Sequence, residues 1–392
     1  MPAPADPAPR RGRAEARPEV AEIFRRFGPA YLRDHVLVPT QAKALRAAIA
    51  CRTAVLGGHL DVCPCCGASK PSYNSCRNRH CPTCQGLQAA KWVASRLDRI
   101  LPTPHFHVVF TLPEPLRPVA LANPKIVYDL LFAAASDTLL ELGRTHLGAT
   151  LGITAVLHTW ARDMGFHPHL HCVVTGGGLS LDCERWVAGN AAFLFHVDVM
   201  RALFRGKFLD GLARAQKAGT LRFVGTSAHL ADPVAFAKMR DGLYKTRWMV
   251  FAKKPFGGAE QVDRYLGRYT HRVAIGSSRL VSVEDDAIVF RTRGDATCRL
   301  DSDEFLRRFL LHVLPAGFRK IRHYGLFAPA NIRTRFEAAR LLLDALVPRQ
   351  RERRARADLV LRPVDVLCPA CGVGILVRQP LPPPARAPPA SP

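Results

Sequence analysis

The stretch LHTWARDMGFHPHLHCVVT, residues 157–175, decides how this chain is read. From His169 it runs HLHCVVT, an apolar segment that predicts a strand over His169–Thr175. Successive strand side chains leave on opposite faces, so His169 and His171 project together while Leu170 points behind them. Two imidazoles at that separation can chelate one divalent ion. Leu151–Trp160 predicts the preceding strand, and Ala161–Pro168 the turn between the two. That hairpin offers His158 as a third ligand. His167 shares the parity of the pair but precedes a proline, where the strand is only starting. The competing reading of an isolated His-x-His is a set of core or edge histidines.

Working outward, Phe106–Leu112 (FHVVFTL) reads as a buried strand and Leu121–Leu142 has helical spacing. Gly176–Gly178 are expected to end the histidine strand. Arg247–Ala252 (RWMVFA) predicts a further strand, and Gly257-Gly258 precede a helix over Ala259–His271. Strand, helix, strand, strand, insertion, strand, helix is the order of an α+β domain, with a largely antiparallel sheet and helices on one face. In the last helix Tyr265 and Tyr269 stand one turn apart on one face. Val262, Tyr265, Leu266, Tyr269 and Val273 also form an apolar packing stripe. The spacing admits both a packing and a contact role. Beside it Arg264, Arg268 and Arg272 form a row that can meet phosphates.

Of twelve cysteines, six of the seven between Cys51 and Cys84 fall into a pattern with two histidines, Cys65 being set aside. Cys63-x2-Cys66 and Cys81-x2-Cys84 form two knuckles 14 residues apart, which suits a tetrahedral structural zinc. Cys51, His59, Cys76 and His80 remain for a second, interleaved four-ligand set. A closed site of four ligands leaves no position for a reacting water. Lys70, Arg77 and Arg79 give this module positive charge for DNA contact. Cys368-x2-Cys371 stands alone near the other end.

Over 392 residues, 56 Lys and Arg against 32 Asp and Glu give a net charge of +24, and 48% of residues are hydrophobic. That composition supports a full core. The charge, mostly arginine, suits a polyanion such as nucleic acid. An arginine-rich composition with many Ala and Pro residues also follows from a GC-rich genome. No apolar run reaches the about 20 residues of a membrane span. Five segments follow: a basic arm at 1–18, a zinc-binding DNA-recognition domain at 19–100, a catalytic domain at 101–290, a basic, mostly helical region at 291–347, and an Arg/Pro-rich tail at 348–392. A soluble, cytoplasmic protein is expected.

Together CRTAVLGGH (51–59), YNSCRNRHCPTCQ (73–85), HFHVVFTLP (105–113), LHTWARDMGFHPHLHCVV (157–174), RYLGRYTHRVAI (264–275) and FRKIRHYG (318–325) resemble the insertion-sequence-91-like rolling-circle transposases. These belong to the HUH endonuclease superfamily, named for His-hydrophobe-His. The resemblance covers roughly residues 40 to 330, and its force lies in the order and spacing of the motifs. It implies that His169 and His171 are the metal-binding pair, for Mg²⁺ or Mn²⁺, and that Tyr265 and Tyr269 are the paired nucleophiles. It further implies that 51–84 is the zinc module and that single-stranded DNA at insertion-sequence ends is the substrate. Three rivals stand beside it: a plasmid-type relaxase or replication initiator, a zinc-ribbon DNA-binding regulator without catalysis, and a metal-dependent nuclease whose nucleophile is water. No G-x4-G-K-[ST] loop is present, which argues against an ATP-driven motor.

Overall fold

The computed structural model describes residues 18–84, 100–253, 274–346 and 367–384. Two helices open it, α1 (Val20–Asp34) and α2 (Pro39–Ala50), the second starting on a proline at its first turn, where the missing N–H costs nothing. A hairpin follows, β1 (Gly58–Val62) and β2 (Ser69–Tyr73).

The centre is an antiparallel sheet of β3 (His105–Thr111), β4 (Ala149–Trp160), β5 (Phe166–Ser180), β7 (Met249–Lys253) and β11 (Ile321–Gly325), ordered β11-β4-β5-β3-β7. The short β6 (Trp186–Ala188) pairs with the far end of β5. Registers place Phe106, Val108 and Phe110 of β3, Ile153, Ala155 and Leu157 of β4, and Leu170, Cys172 and Val174 of β5 on one face. All are buried, in one apolar cluster with the helices that cover that face. Those helices are α4 (Pro124–Leu147), reached from the one-turn α3 (Arg117–Ala122), and α5 (Val197–Lys217); α6 (Pro233–Lys245) leads into β7. Helix α4 carries its stripe at Val127, Leu131, Phe132, Ala135, Leu139 and Leu142, the spacing of one helical face, and ends on Gly148 in the left-handed region. The α+β expectation is met, with these helices on one face of the central sheet.

The opposite face carries His105, His107, Val109, His158, His169 and His171. One sheet thus has an apolar side that holds it together and a histidine side that is left for chemistry.

Two expectations are corrected. The glycines at 176–178 do not end β5, which continues to Ser180. A Cβ on Gly178 would sit 2.5 Å from the Thr150 carbonyl oxygen, and one on Gly177 2.5 Å from that of Val187. They are glycines because β4 and β6 approach too closely for a side chain. The 291–347 stretch is less helical than expected. It supplies β9 (Ile288–Arg291) in part, β10 (Thr297–Leu300), α7 (Ser302–Leu310), the edge strand β11 and α8 (Arg335–Leu346). In β11 the cation Arg322 lies over Phe132 and Phe318 and pairs with Asp129, so an apolar face is completed by a charged residue. That hides the strand from a hydrophobicity pattern. Within the described part of 19–100, the two helices and the β1-β2 hairpin pack against different partners. Helices α1 and α2 build a second core with α7 and the β8 (Leu280–Val283)-β9-β10 sheet, through Ile23, Phe24, Phe290, Phe305 and Phe309.

The tail also returns. β12 (Val377–Leu381) pairs antiparallel with β1, so β12-β1-β2 form a third sheet from both chain ends.

Candidate metal centres

The hairpin register puts His158 opposite His169, and β5 carries His171 two residues on. Ligand atoms of the three imidazoles lie within 4.8 Å of one another. Ring centroids are 4.4 Å apart for His158–His171, 4.8 Å for His169–His171 and 5.5 Å for His158–His169. The third ligand offered by the hairpin therefore stands where the other two converge. Trp160, displaced by a register shift after His158, stacks on the His158 ring at 4.4 Å. His167 tilts against the His169 ring from outside the cluster.

Hydrogen bonds select the tautomers. The His169 Nδ1–H donates to the His167 carbonyl at 2.7 Å, which leaves Nε2 with a free lone pair. That Nε2 lies 3.0 Å from Nε2 of His171. On its other side His171 Nδ1 meets Nε2 of His107 at 2.9 Å, the rings parallel and 5.1 Å apart. If His171 Nδ1–H donates to His107, both Nε2 lone pairs of the pair face one point. Two lone pairs so placed repel unless a cation lies between them, and two ligands at about 2.1 Å and right angles stand about 3.0 Å apart. The residues fit a divalent ion.

Charge agrees. Burial holds His169 down to about 4 and His171 to about 2, the latter helped by His169, His107, Lys320 and Lys253. Burial, then Lys253 and His169, brings His107 to about 4. The imidazoles are neutral at pH 7 and available as ligands. Lys320, brought down to about 7 by burial and by Arg79, lies over the Trp160 ring at 4.9 Å, and Lys253 stands opposite His107 on β7.

His107, Lys253 and Lys320 escaped the sequence reading as site residues. His107 and Lys320 lie in HFHVVFTLP and FRKIRHYG, and only the strand register brings them to His171. Tyr265, Tyr269, Arg264, Arg268 and Arg272 lie outside the described residues, between Lys253 and Ala274.

The cysteines group differently from expectation. Cys63 and Cys66 do not join Cys81 and Cys84. One cluster is Cys51, Cys76, Cys81 and Cys84; the other is Cys63, Cys66, Cys368 and Cys371. In the first, Cys76 and Cys84 sulfurs are 3.7 Å apart, and backbone N–H groups of Cys76 and Asn78 point at the sulfurs of Cys51 and Cys76. A hydrogen bond from Cys76 is the largest influence bringing the Cys81 thiol down to about 5, while that same bond and burial push Cys76 up and burial pushes Cys84 up to about 11. Thiolate favoured in this way is the ligand form. Four sulfurs around zinc at about 2.3 Å stand about 3.8 Å apart, so the cluster fits structural zinc.

His59 and His80 take no part in either cluster. His59 lies 3.6 Å from the Asp61 carboxylate on β1. His80 is buried and its Nε2 accepts the Leu314 N–H at 3.0 Å. Burial takes it down to about 3, so it stays an acceptor. Its neighbour Arg79, expected to face DNA, donates to the carbonyls of Phe318 and Pro315 at 2.5 and 2.6 Å. This pair docks the first cysteine cluster onto the loop before β11.

Comparison with known proteins finds family matches over these regions. A family described as "Putative transposase" matches residues 152–335, and one described as "Transposase zinc-binding domain" matches residues 23–112. The chain is 44% identical to "Putative transposase y4qJ" of Sinorhizobium fredii (strain NBRC 101917 / NGR234) over 379 residues, 93% of this chain and 95% of that one. It is 30% identical to "Transposase for insertion sequence element IS801" of Pseudomonas savastanoi pv. phaseolicola, over 76% of this chain and 71% of that one. No solved structure matches. Among the described residues no helix is long and apolar enough to cross a membrane.

Proposed function

Since the chain belongs to the insertion-sequence-91-like transposase family, with an N-terminal zinc-binding domain, we propose that it moves its element by nicking and rejoining single-stranded DNA through 5′-phosphotyrosine links, in rolling-circle fashion. The observation that carries this reading is the convergence of His158, His169 and His171, with ligand atoms within 4.8 Å of one another, on the histidine face of the sheet. A closed cysteine site holds shape, whereas three imidazoles leave ligand positions for a phosphate.

Tyr265 and Tyr269 are the nucleophiles. A phenol oxygen forms a bond to the scissile phosphorus as the bond from phosphorus to the 3′ oxygen breaks. The phenol proton is given up, and the departing oxygen takes a proton to become a 3′-hydroxyl. No water enters, so the phosphate remains an ester, and a later 3′-hydroxyl reverses the step and joins a new strand. A free phenol, with a pKa of about 10, attacks poorly at neutral pH. Mg²⁺ or Mn²⁺, when bound by the three histidines, supplies polarisation of the phosphate. Imidazole ligands favour Mn²⁺ of the two.

The chain's own residues do the rest. His107 orients His171, and the His167 carbonyl orients His169. Lys253, which acts electrostatically on His171, sets positive charge beside the phosphate, and Lys320, brought down to about 7, adds to it when protonated. Arg264, Arg268 and Arg272 hold neighbouring phosphates. Phe251 and Met249 lie half-exposed on the histidine face of β7, where unstacked bases can rest.

The test mixes purified protein, Mn²⁺ and single-stranded oligonucleotides spanning the element ends, labelled at either terminus, on denaturing gels. A protease-sensitive adduct carrying the 3′ fragment, absent from the Tyr265→Phe/Tyr269→Phe double variant, is the expected result. Cleavage with no adduct would assign water as the nucleophile. Binding without cleavage in both proteins would leave a DNA-binding regulator.

A further inference from the structure

The sequence CPCCG at 63–67 returns as CPACG at 368–372. The two pentapeptides fold alike. Gly67 and Gly372 both take the left-handed region, at φ +71° and +70°. Gly67 N–H closes on the Cys63 carbonyl at 3.0 Å, and Gly372 N–H on that of Cys368 at 2.8 Å. Cys63 N–H donates to Ala68 and Cys368 N–H to Gly374, at 2.8 and 2.7 Å. The knuckles face each other: Cys63 and Cys371 sulfurs are 3.7 Å apart, as are those of Cys66 and Cys368. That is nearly twice the about 2.05 Å of a disulfide and close to the about 3.8 Å edge of a tetrahedral zinc thiolate.

We propose that Cys63, Cys66, Cys368 and Cys371 hold a second structural zinc ion, distinct from that of the Cys51 cluster, which fastens the carboxy-terminal segment onto the amino-terminal hairpin. The proposal stands apart from the DNA chemistry.

Packing gives the reason an ion is needed. Strand β2 is exposed throughout, and β12 nearly so. Within 52–84 and 367–384 the buried non-glycine residues are Cys63, His80, Cys81 and Cys368. None of the three apolar clusters includes a residue of the β12-β1-β2 sheet. The backbone ladder and the Arg378–Asp61 ion pair at 3.0 Å are exposed to water and hold such a sheet weakly. A sheet this short without apolar burial needs a staple. Backbone N–H groups of Ala370 and Gly374 point at the sulfurs of Cys368 and Cys371 at 3.4 and 3.5 Å, and so stabilise thiolates there. A Cβ on Gly374 would meet the Cys63 sulfur at 2.5 Å, so this glycine is what lets the second knuckle close on the first.

The sulfur pairs are 308 and 302 residues apart in sequence. One ion therefore closes a loop that contains the whole histidine-bearing sheet, and its loss would free the end of the chain while leaving the Cys51 cluster intact.

The test counts zinc by native mass spectrometry on the full-length protein. Two ions per chain are expected for the wild type, one for Cys368→Ser/Cys371→Ser, and two for Cys65→Ser, the neighbouring thiol outside the four. One ion in the wild type, or two in the double variant, would overturn the site, and loss of an ion from Cys65→Ser would overturn its ligand set. A second readout avoids variants that fail to fold. In zinc-loaded wild type, Cys368 and Cys371 should alkylate at least tenfold more slowly than after chelation. Equal rates in the two states would sink the proposal.

Discussion

The central sheet and the sheet joining the chain ends are both antiparallel and similar in strand spacing, yet they are stable for different reasons. One face of β3, β4 and β5 buries Phe106, Phe110, Ile153, Leu157, Leu170 and Val174 against α4 and α5. Its other face is thereby free to carry histidines whose burial makes them neutral ligands. The β12-β1-β2 sheet has no such face, and its shape rests on sulfur clusters. On the proposed reading, metal would be a passenger on the first sheet and a condition of folding for the second. An apolar core can be mutated by degrees, whereas a four-thiolate site is present or absent.

Zinc removal should separate the two most sharply. Structural zinc contributes roughly 10–16 kcal/mol to small modules. Chelation is expected to abolish hydrogen-exchange protection in Gly58–Tyr73 and Val377–Leu381 while β3, β4 and β5 keep theirs. Equal loss in both sheets would show one cooperative unit and break the comparison.

Acid should act on the central fold through its buried histidines. Burial brings His105 and His312 to about 4, outweighing for His312 the Met164 carbonyl that accepts from its ring and favours the charged form. Their folded pKa lies below the unfolded value of about 6.5. Below that value the unfolded chain takes up protons that the folded chain refuses, so the stabilisation is complete above about pH 6.5. It is lost as pH falls towards 4, by about 1.4 kcal/mol per unit for each group. Urea midpoints measured from pH 7 to 4.5 should fall, and less steeply in His105→Gln/His312→Gln. Identical slopes would remove these histidines from the account.

Phe110→Ala should cost about 3–5 kcal/mol, read as a lower urea midpoint, whereas Val377→Ala on exposed β12 should change it by less than about 0.5 kcal/mol. Comparable losses would mean that the terminal sheet has an apolar core after all. A last variant tests how the site is oriented. His107→Gln should weaken Mn²⁺ binding by about 10- to 100-fold, measured by calorimetry, with little change in zinc content. Unchanged affinity would reduce His107 to a packing residue.

Legibility followed the same division. The strands of the central sheet announce themselves because each buries one face, and HLHCVVT shows both the apolar run and the two ligands within seven residues. His158 was in reach because a hairpin fixes cross-strand neighbours from the length of its turn. His107 and Lys320 were not, since β3 reaches β5 only after a helix and β11 arrives at the far edge from 160 residues on. Among the cysteines, spacing identified knuckles but misassigned their partners. Short range suggested Cys63 with Cys81, but the partner of Cys63 is Cys371, and the repeated CPxCG was the one signal that could have said so. His80 looked like a ligand by residue type alone, and a buried imidazole that accepts one backbone N–H looks the same in sequence.

The sequence by itself determined the local terms: the alternation that makes the strands, the knuckles that curl around a metal, the positive charge that suits DNA, and the ordered motifs that place the chain in its family. Those are set by residues within a few positions of one another, where chain geometry leaves little choice. Which knuckle meets which, which histidine backs His171, and that Arg79 clasps a loop instead of reaching outward were decided only by the tertiary structure. Such contacts join residues tens to hundreds of positions apart, and their energies depend on register, close approach and burial that no local pattern encodes.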